Sequence, residues 1–158
     1  MVDRKLLNKI SSELKEKNLK ITTAESCTGG LIASTLTDLS GSSDYFDRGF
    51  VTYSNKAKEE MLGVGSETLE KYGAVSSQVA KQMAEGARKK ANVDLALSTT
   101  GIAGPTGGTP EKPVGLVYIG ISNKEKTEVK KFNFKGDRIQ NKESTCNAAL
   151  VLLLDFIK

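Results

Sequence analysis

The chain has 158 residues, of which 38% are hydrophobic and 27% charged, with only three prolines, a balance that excludes the disordered and fibrous classes. Its net charge of +4 admits nucleic-acid binding, but lysines alternate with glutamates, as in Lys56-Ala57-Lys58-Glu59-Glu60, so a solvated surface is the expectation and no nucleic-acid partner is assigned. Histidine is absent, which excludes Ser-His-Asp and Cys-His catalysis by this chain alone and removes the commonest nitrogen ligand of zinc, so neither a metal nor a cofactor is expected.

In chain order, Asp3 caps a first helix with Leu6, Leu7, Ile10 and Leu14 on one face, ending near Lys17-Asn18. The alternating run Asn18–Thr23 predicts a strand, and Leu31, Ile32 and Leu36 predict a helix closed by Gly41-Ser42-Ser43. A second strand, Gly49–Ser54, leads into Asn55, read as a helix N-cap, and a helix that ends with Met61-Leu62 at Gly63. Ser66 caps a short helix stopping at Gly73, and Ser76 or Ser77 opens a longer one with Val79, Met83 and Ala87 at spacing four. Asp94–Thr100 predicts a strand followed by the glycine-rich loop Gly101–Gly108. Leu116–Ile121 and Thr127–Phe134 predict antiparallel neighbours joined through Asn123–Lys126. A last helix starts near Asp137, with Ile139, Cys146, Leu150, Leu153 and Ile157 on its buried face.

Strands alternating with helices, plus one antiparallel hairpin, predict an α/β fold: a single domain over residues 1–158, layered α/β/α, with a mixed, mainly parallel sheet. No internal repeat is found. Cys27 and Cys146 lie far apart, and the N-terminus has no continuous apolar stretch, so a reducing, cytoplasmic location away from membranes is expected.

Chemistry concentrates in Thr22-Thr23-Ala24-Glu25-Ser26-Cys27-Thr28-Gly29-Gly30, between a predicted strand and a predicted helix. Gly29 and Gly30 let the backbone approach a ligand closely, and the free N–H groups of the helix's first turn favour an anion or a developing oxyanion. Ser26 is not in a Gly-x-Ser-x-Gly elbow, because Ala24 and Thr28 flank it; it is a nucleophile or a helix cap. A serine without histidine needs another base, and Lys56 and Lys58, just after the strand ending at Ser54, are placed to supply it if burial lowers their pKa. Each is otherwise an ordinary surface lysine. Tyr53 is a proton relay or a core aromatic, and Cys27 is a rival nucleophile or a small buried residue.

Gly101–Gly108 matches neither a Walker A motif nor Gly-x-Gly-x-x-Gly, which leaves a plain turn or a phosphate cradle. Arg138, opening the last helix, is a phosphate ligand or a solvated cation. Lys131, Asn133 and Lys135 alternate with Phe132 and Phe134, as the two faces of a half-buried strand do.

Taken together, Thr23–Gly30, Gly49–Asn55, Gly73-Ala74-Val75-Ser76, Gly101-Ile102-Ala103-Gly104-Pro105 and Lys112-Pro113-Val114-Gly115 resemble the CinA C-terminal domain family of nicotinamide-nucleotide amidases, over nearly the whole chain and in its stand-alone form. The resemblance implies hydrolysis of nicotinamide mononucleotide to nicotinate mononucleotide and ammonia. Ser26 is similar to the family's nucleophile and Lys58 to its base, with Tyr53 close by. In the mechanism this implies, Cys27, Thr28, Gly29 and Gly30 line the carboxamide, while Gly101, Gly104, Thr106 and Arg138 hold the phosphate. A homo-oligomer is expected. The alternative is a nucleotide-binding regulatory module without catalysis.

Overall fold

A computed structural model describes residues 2–158. The described residues form six helices, α1 (Arg4–Glu16), α2 (Leu31–Leu36), α3 (Asn55–Leu62), α4 (Ser66–Tyr72), α5 (Ser77–Ala91) and α6 (Arg138–Ile157), and five strands. The strands are β1 (Ile21–Glu25), β2 (Phe46–Val51), β3 (Leu95–Gly101), β4 (Leu116–Ser122) and β5 (Thr127–Asn133), in the sheet order β2-β1-β3-β4-β5. β1 pairs in parallel with β2 and β3, whereas β4 runs antiparallel to both β3 and β5. The sheet is mixed, as predicted, and the β4–β5 hairpin is present.

Helices cover both faces. On one, Leu7, Ile10 and Leu14 of α1, Ile32 and Leu36 of α2, and Leu150 and Leu153 of α6 pack on Ile21, Leu97 and Ile119. On the other, Val79, Met83 and Ala87 of α5 pack with Leu62 and Leu69 on Ala24 and Ala96. Strand side chains alternate between these two cores because successive residues point to opposite faces. The middle strand β3 is therefore buried almost throughout and reads as a continuous apolar and hydroxylic run.

Several boundaries move. β1 ends at Glu25 rather than Thr23, and β2 occupies Phe46–Val51 rather than Gly49–Ser54, because β2 must run level with β1, pairing Ala24 with Phe50 and Glu25 with Val51. Ser54, not Asn55, caps α3, its Oγ accepting from the Ala57 N–H at 3.0 Å. Asp3 and Ser76 cap α1 and α5 as expected. Ile139 does not face the core: at the first turn of α6 it is 60% exposed and lines a cleft with Ala103 and Pro105 of the Gly101–Gly108 loop. Phe132 and Phe134 stack at 5.5 Å against the α1–α6 core, with Lys131 and Asn133 exposed. Among the described residues no helix is long and apolar enough to cross a membrane.

Candidate active site

Ser26 is the first residue past β1, and its N–H donates to the Thr99 carbonyl of β3 at 3.0 Å. That bond continues the sheet one step beyond the strand, so Ser26 stands on a rigid edge. The chain then turns: the Gly29 N–H donates to the Ser26 carbonyl at 3.1 Å and the Leu31 N–H to the Thr28 carbonyl at 3.1 Å. Gly29 and Gly30 have φ of 61° and 103°, the left-handed region that a side chain disfavours, which is why glycines stand here.

Glu25 changes the picture of this turn. Its side chain is fully buried and accepts from Thr28 Oγ1 at 2.6 Å, the Ile32 N–H at 2.9 Å and the Ala33 N–H at 3.0 Å. Those N–H groups of the first turn of α2, expected to face an incoming anion, are already satisfied from within. Ser26, Gly29 and Leu31 donate inside the protein as well, which leaves Cys27, Thr28 and Gly30 as the residues of this turn whose N–H groups have no backbone carbonyl acceptor. The Thr28 hydroxyl lies 2.8 Å from Thr99 Oγ1 and is buried in this internal network.

Lys58 lies in the first turn of α3 and is 1% exposed. Its Nζ donates to Ser26 Oγ at 3.1 Å, to the Thr52 carbonyl at 2.9 Å and to the Tyr53 carbonyl at 3.2 Å. The two carbonyls are aimed by the chain leaving β2, where the Thr52 N–H donates to the Glu25 carbonyl at 2.9 Å. No carboxylate of a described residue pairs with Lys58, and burial pushes its ammonium pKa down, opposed only by nearby Cys27. Lys56, the other base weighed, has a side chain 81% exposed and lies 3.7 Å from Glu60; it is a solvated surface lysine.

Cys27 is also resolved. Its thiol is 7% exposed and burial pushes its pKa up to about 12, against opposing hydrogen bonds from its own backbone and from Thr99. Burial thus disfavours the thiolate form on which a nucleophilic cysteine depends. Cys146 is likewise buried in the core, its thiol pushed up to about 11 by desolvation.

Tyr53 is neither core nor strand. It follows β2 and is 62% exposed, and its hydroxyl accepts from Arg138 Nη2 at 3.1 Å. Arg138 Nη1 donates to the Gly104 carbonyl at 2.6 Å, so one guanidinium ties together the segment after β2, the glycine loop and the start of α6. A cleft of about 460 Å³ opens there, lined by Ala103, Pro105, Val114, Asp137, Arg138 and Ile139. Gly101 pairs with Val117 inside the sheet, and a Cβ on it would lie 2.6 Å from the Leu116 carbonyl oxygen; its bareness serves strand packing. Thr106 lies exposed farther along the loop.

Sequence reasoning passed over Glu25, Thr99, Asn141 and Lys142. Asn141 Nδ2 donates to the Ala103 carbonyl at 3.0 Å and its Oδ1 accepts from the Gly136 N–H at 3.0 Å, which pins α6 to the loop. Lys142 Nζ lies 3.8 Å from where a Gly29 Cβ would be. The one available signal was Glu25 itself, a lone acid in an otherwise apolar and hydroxylic strand end. Among the described residues no group of three or more His, Cys, Asp or Glu side chains is placed to hold a metal ion.

The family model of the CinA C-terminal domain matches residues 3–157. The chain is 54% identical over 141 residues to a CinA-like protein of Geotalea daltonii, covering 89% of this chain and 34% of that one. It spans little more than a third of the length of the curated relatives it matches. The competence/damage inducible protein CihA from Agrobacterium tumefaciens superposes with a TM-score of 0.95 at 41% identity, covering 100% of this chain and 99% of that chain. A CinA superfamily protein from Escherichia coli superposes with a TM-score of 0.92 at 36% identity, covering 96% of this chain and 88% of that one. The family model spans nearly the whole chain and the solved relative superposes over all of it, so the chain belongs to the CinA C-terminal domain family.

Proposed function

We propose that the chain is an amidase that hydrolyses the carboxamide of nicotinamide mononucleotide through a serine-lysine pair. The observation that carries this reading is the buried Lys58 amine 3.1 Å from Ser26 Oγ with no carboxylate beside it. In its neutral form the amine keeps two N–H donors on the Thr52 and Tyr53 carbonyls and turns its lone pair to the Ser26 hydroxyl, the arrangement a general base requires.

The Ser26 proton passes to Lys58 as its oxygen bonds to the carboxamide carbon. The oxyanion meets the N–H groups of Cys27, Thr28 and Gly30, each worth about 3 kcal/mol to the transition state in comparable sites. Lys58 returns the proton to the leaving nitrogen, ammonia departs, and an ester to Ser26 remains. Water, deprotonated by the same lysine, then attacks that ester; the bond to Ser26 Oγ breaks as Lys58 returns the proton to that oxygen, and the product leaves as the nicotinate carboxylate with its proton passing to solvent.

Ammonia release from nicotinamide mononucleotide by the purified protein tests the reading. Ser26→Ala is expected to lose activity by about 10³-fold or more, while Cys27→Ala keeps it within about tenfold. Nucleotide binding without ammonia release would instead favour a regulatory module, and loss confined to the Cys27 variant would overturn the nucleophile.

A further inference from the structure

We propose that the Thr52 hydroxyl holds the water that hydrolyses the Ser26 ester, which makes Thr52 a positioning residue for the second half of the reaction. This deepens the serine-lysine reading above and rests on it. Thr52 is 0% exposed, and its Oγ1 has no hydrogen-bond partner among the described residues. A hydroxyl withdrawn from bulk water without a partner is costly, and one ordered water satisfies it.

Where that hydroxyl points follows from the strand. The Thr52 N–H donates to the Glu25 carbonyl at 2.9 Å, so the chain stays extended one residue past β2. Thr52 therefore shares a face with Phe50, which packs in the core that holds Leu62 of α3 and Val79 of α5. This is the face on which α3 brings Lys58 to Ser26, and the Lys58 amine touches the same threonine, donating to its carbonyl at 2.9 Å. Covalent dimensions then put the hydroxyl within the span of about one bridging water from the amine. Thr23, the other buried threonine without a partner among the described residues, lies on the opposite face, where a Cβ on Gly49 would meet it and Ala33 of α2.

The chemistry needs such a holder. Once Ser26 Oγ is an ester it has no proton to offer, and the Lys58 lone pair is free to take one from water. The two N–H groups of the neutral amine stay on the Thr52 and Tyr53 carbonyls, so Lys58 accepts from the water but does not orient it. The other buried hydroxyls around this end of the sheet are committed: Thr28 to Glu25, Thr99 to Thr28, Thr100 to the Ala74 carbonyl and Ser76 to the Gly73 carbonyl. Among these, Thr52 alone keeps its proton and lone pairs free for water. Water held there gives one proton to Lys58 as its oxygen bonds to the acyl carbon; the C–Oγ bond then breaks and the proton passes from Lys58 to Ser26 Oγ.

Thr52→Val, which keeps the shape and removes the hydroxyl, and Thr52→Ser test this against the wild type. The substrates are nicotinamide mononucleotide and p-nitrophenyl acetate, an activated ester that acylates Ser26 without nucleotide recognition. With either, Thr52→Val is expected to release about one equivalent of ammonia or nitrophenol per site in a burst, then to turn over about 10- to 100-fold more slowly than the wild type, with an acyl group mapped to Ser26 by mass. Thr52→Ser should restore turnover to within about threefold. Thr52→Val should melt no lower than the wild type, since no protein group loses a partner. Unchanged turnover in Thr52→Val overturns the proposal, as does slow turnover with neither burst nor acyl-protein, which would put the effect before the ester forms. A markedly lower melting temperature would give the hydroxyl a partner within the protein and overturn it too. A wild type that hydrolyses the acetate through Ser26 but releases no ammonia from the nucleotide sinks the amidase reading and leaves this one standing; a wild type acylated by neither substrate overturns both.

Discussion

Lys58 shows how much one residue's surroundings decide. The same side chain on the opposite face of α3 is Lys56, a solvated cation, whereas Lys58 is enclosed with two carbonyls and a hydroxyl. Its folded-state pKa lies below the ordinary 10.5 because burial disfavours the charge. Between that depressed value and 10.5 the unfolded chain binds a proton that the native state does not, so stability rises with pH through this window. The contribution is complete above the unfolded value and is lost as pH falls through the folded one. Urea midpoints measured from pH 7 to pH 10 should therefore rise for the wild type relative to Lys58→Met, and a relative fall would contradict a depressed pKa. Activity has the same sign: kcat/KM should drop about tenfold per pH unit below the folded pKa of Lys58.

At the scale of elements, Glu25 joins β1 to α2. Its carboxylate replaces the partners that the first N–H groups of a helix lack and fixes the entry of a helix only six residues long. Glu25→Gln keeps the shape but replaces one acceptor oxygen with a donor facing a backbone N–H, and should cost about 1–3 kcal/mol. Denaturant titration should show a lower midpoint with an unchanged slope; an unchanged midpoint would mean that the turn holds without the clamp. Much of this region was legible in advance. The strand, the glycine turn and the helix were all expected from residues 18 to 36, because alternation, paired glycines and 3.6-residue spacing are local signals. The end of β1 was not, since Thr22-Thr23-Ala24-Glu25 stays extended only through its pairing with β2 and β3, and pairing partners are far away in sequence.

Across the whole molecule, α3, the helix that carries Lys58, is seated by its packing against α5. Gly86 of α5 lies so close to α3 that a Cβ there would fall 1.9 Å from the Leu62 carbonyl oxygen. Gly86→Ala must push the two helices apart, costing about 1–3 kcal/mol as overpacking does. The displacement reaches the helix that carries Lys58, so kcat should fall about tenfold or more, a sensitivity typical of small shifts in reacting groups. A comparison of melting temperature and kcat checks this, and an unchanged kcat in a folded but less stable variant would show that α3 does not transmit the shift.

The order of elements, the α/β class and the absence of any histidine-based chemistry were determined by the amino-acid sequence alone, since each follows from composition or from spacing within a dozen residues. Ser26 was visible there as a residue at a special turn, and Lys58 as one of two lysines after a strand. Only the tertiary structure enclosed Lys58 beside Ser26 while leaving Lys56 in solvent, buried the Cys27 thiol, placed Tyr53 against Arg138 and brought Lys142 beside Gly29. Those decisions turn on burial and on contacts between α3, α6 and the turn after β1, and burial is a property of the assembled layers that no local stretch of chain carries.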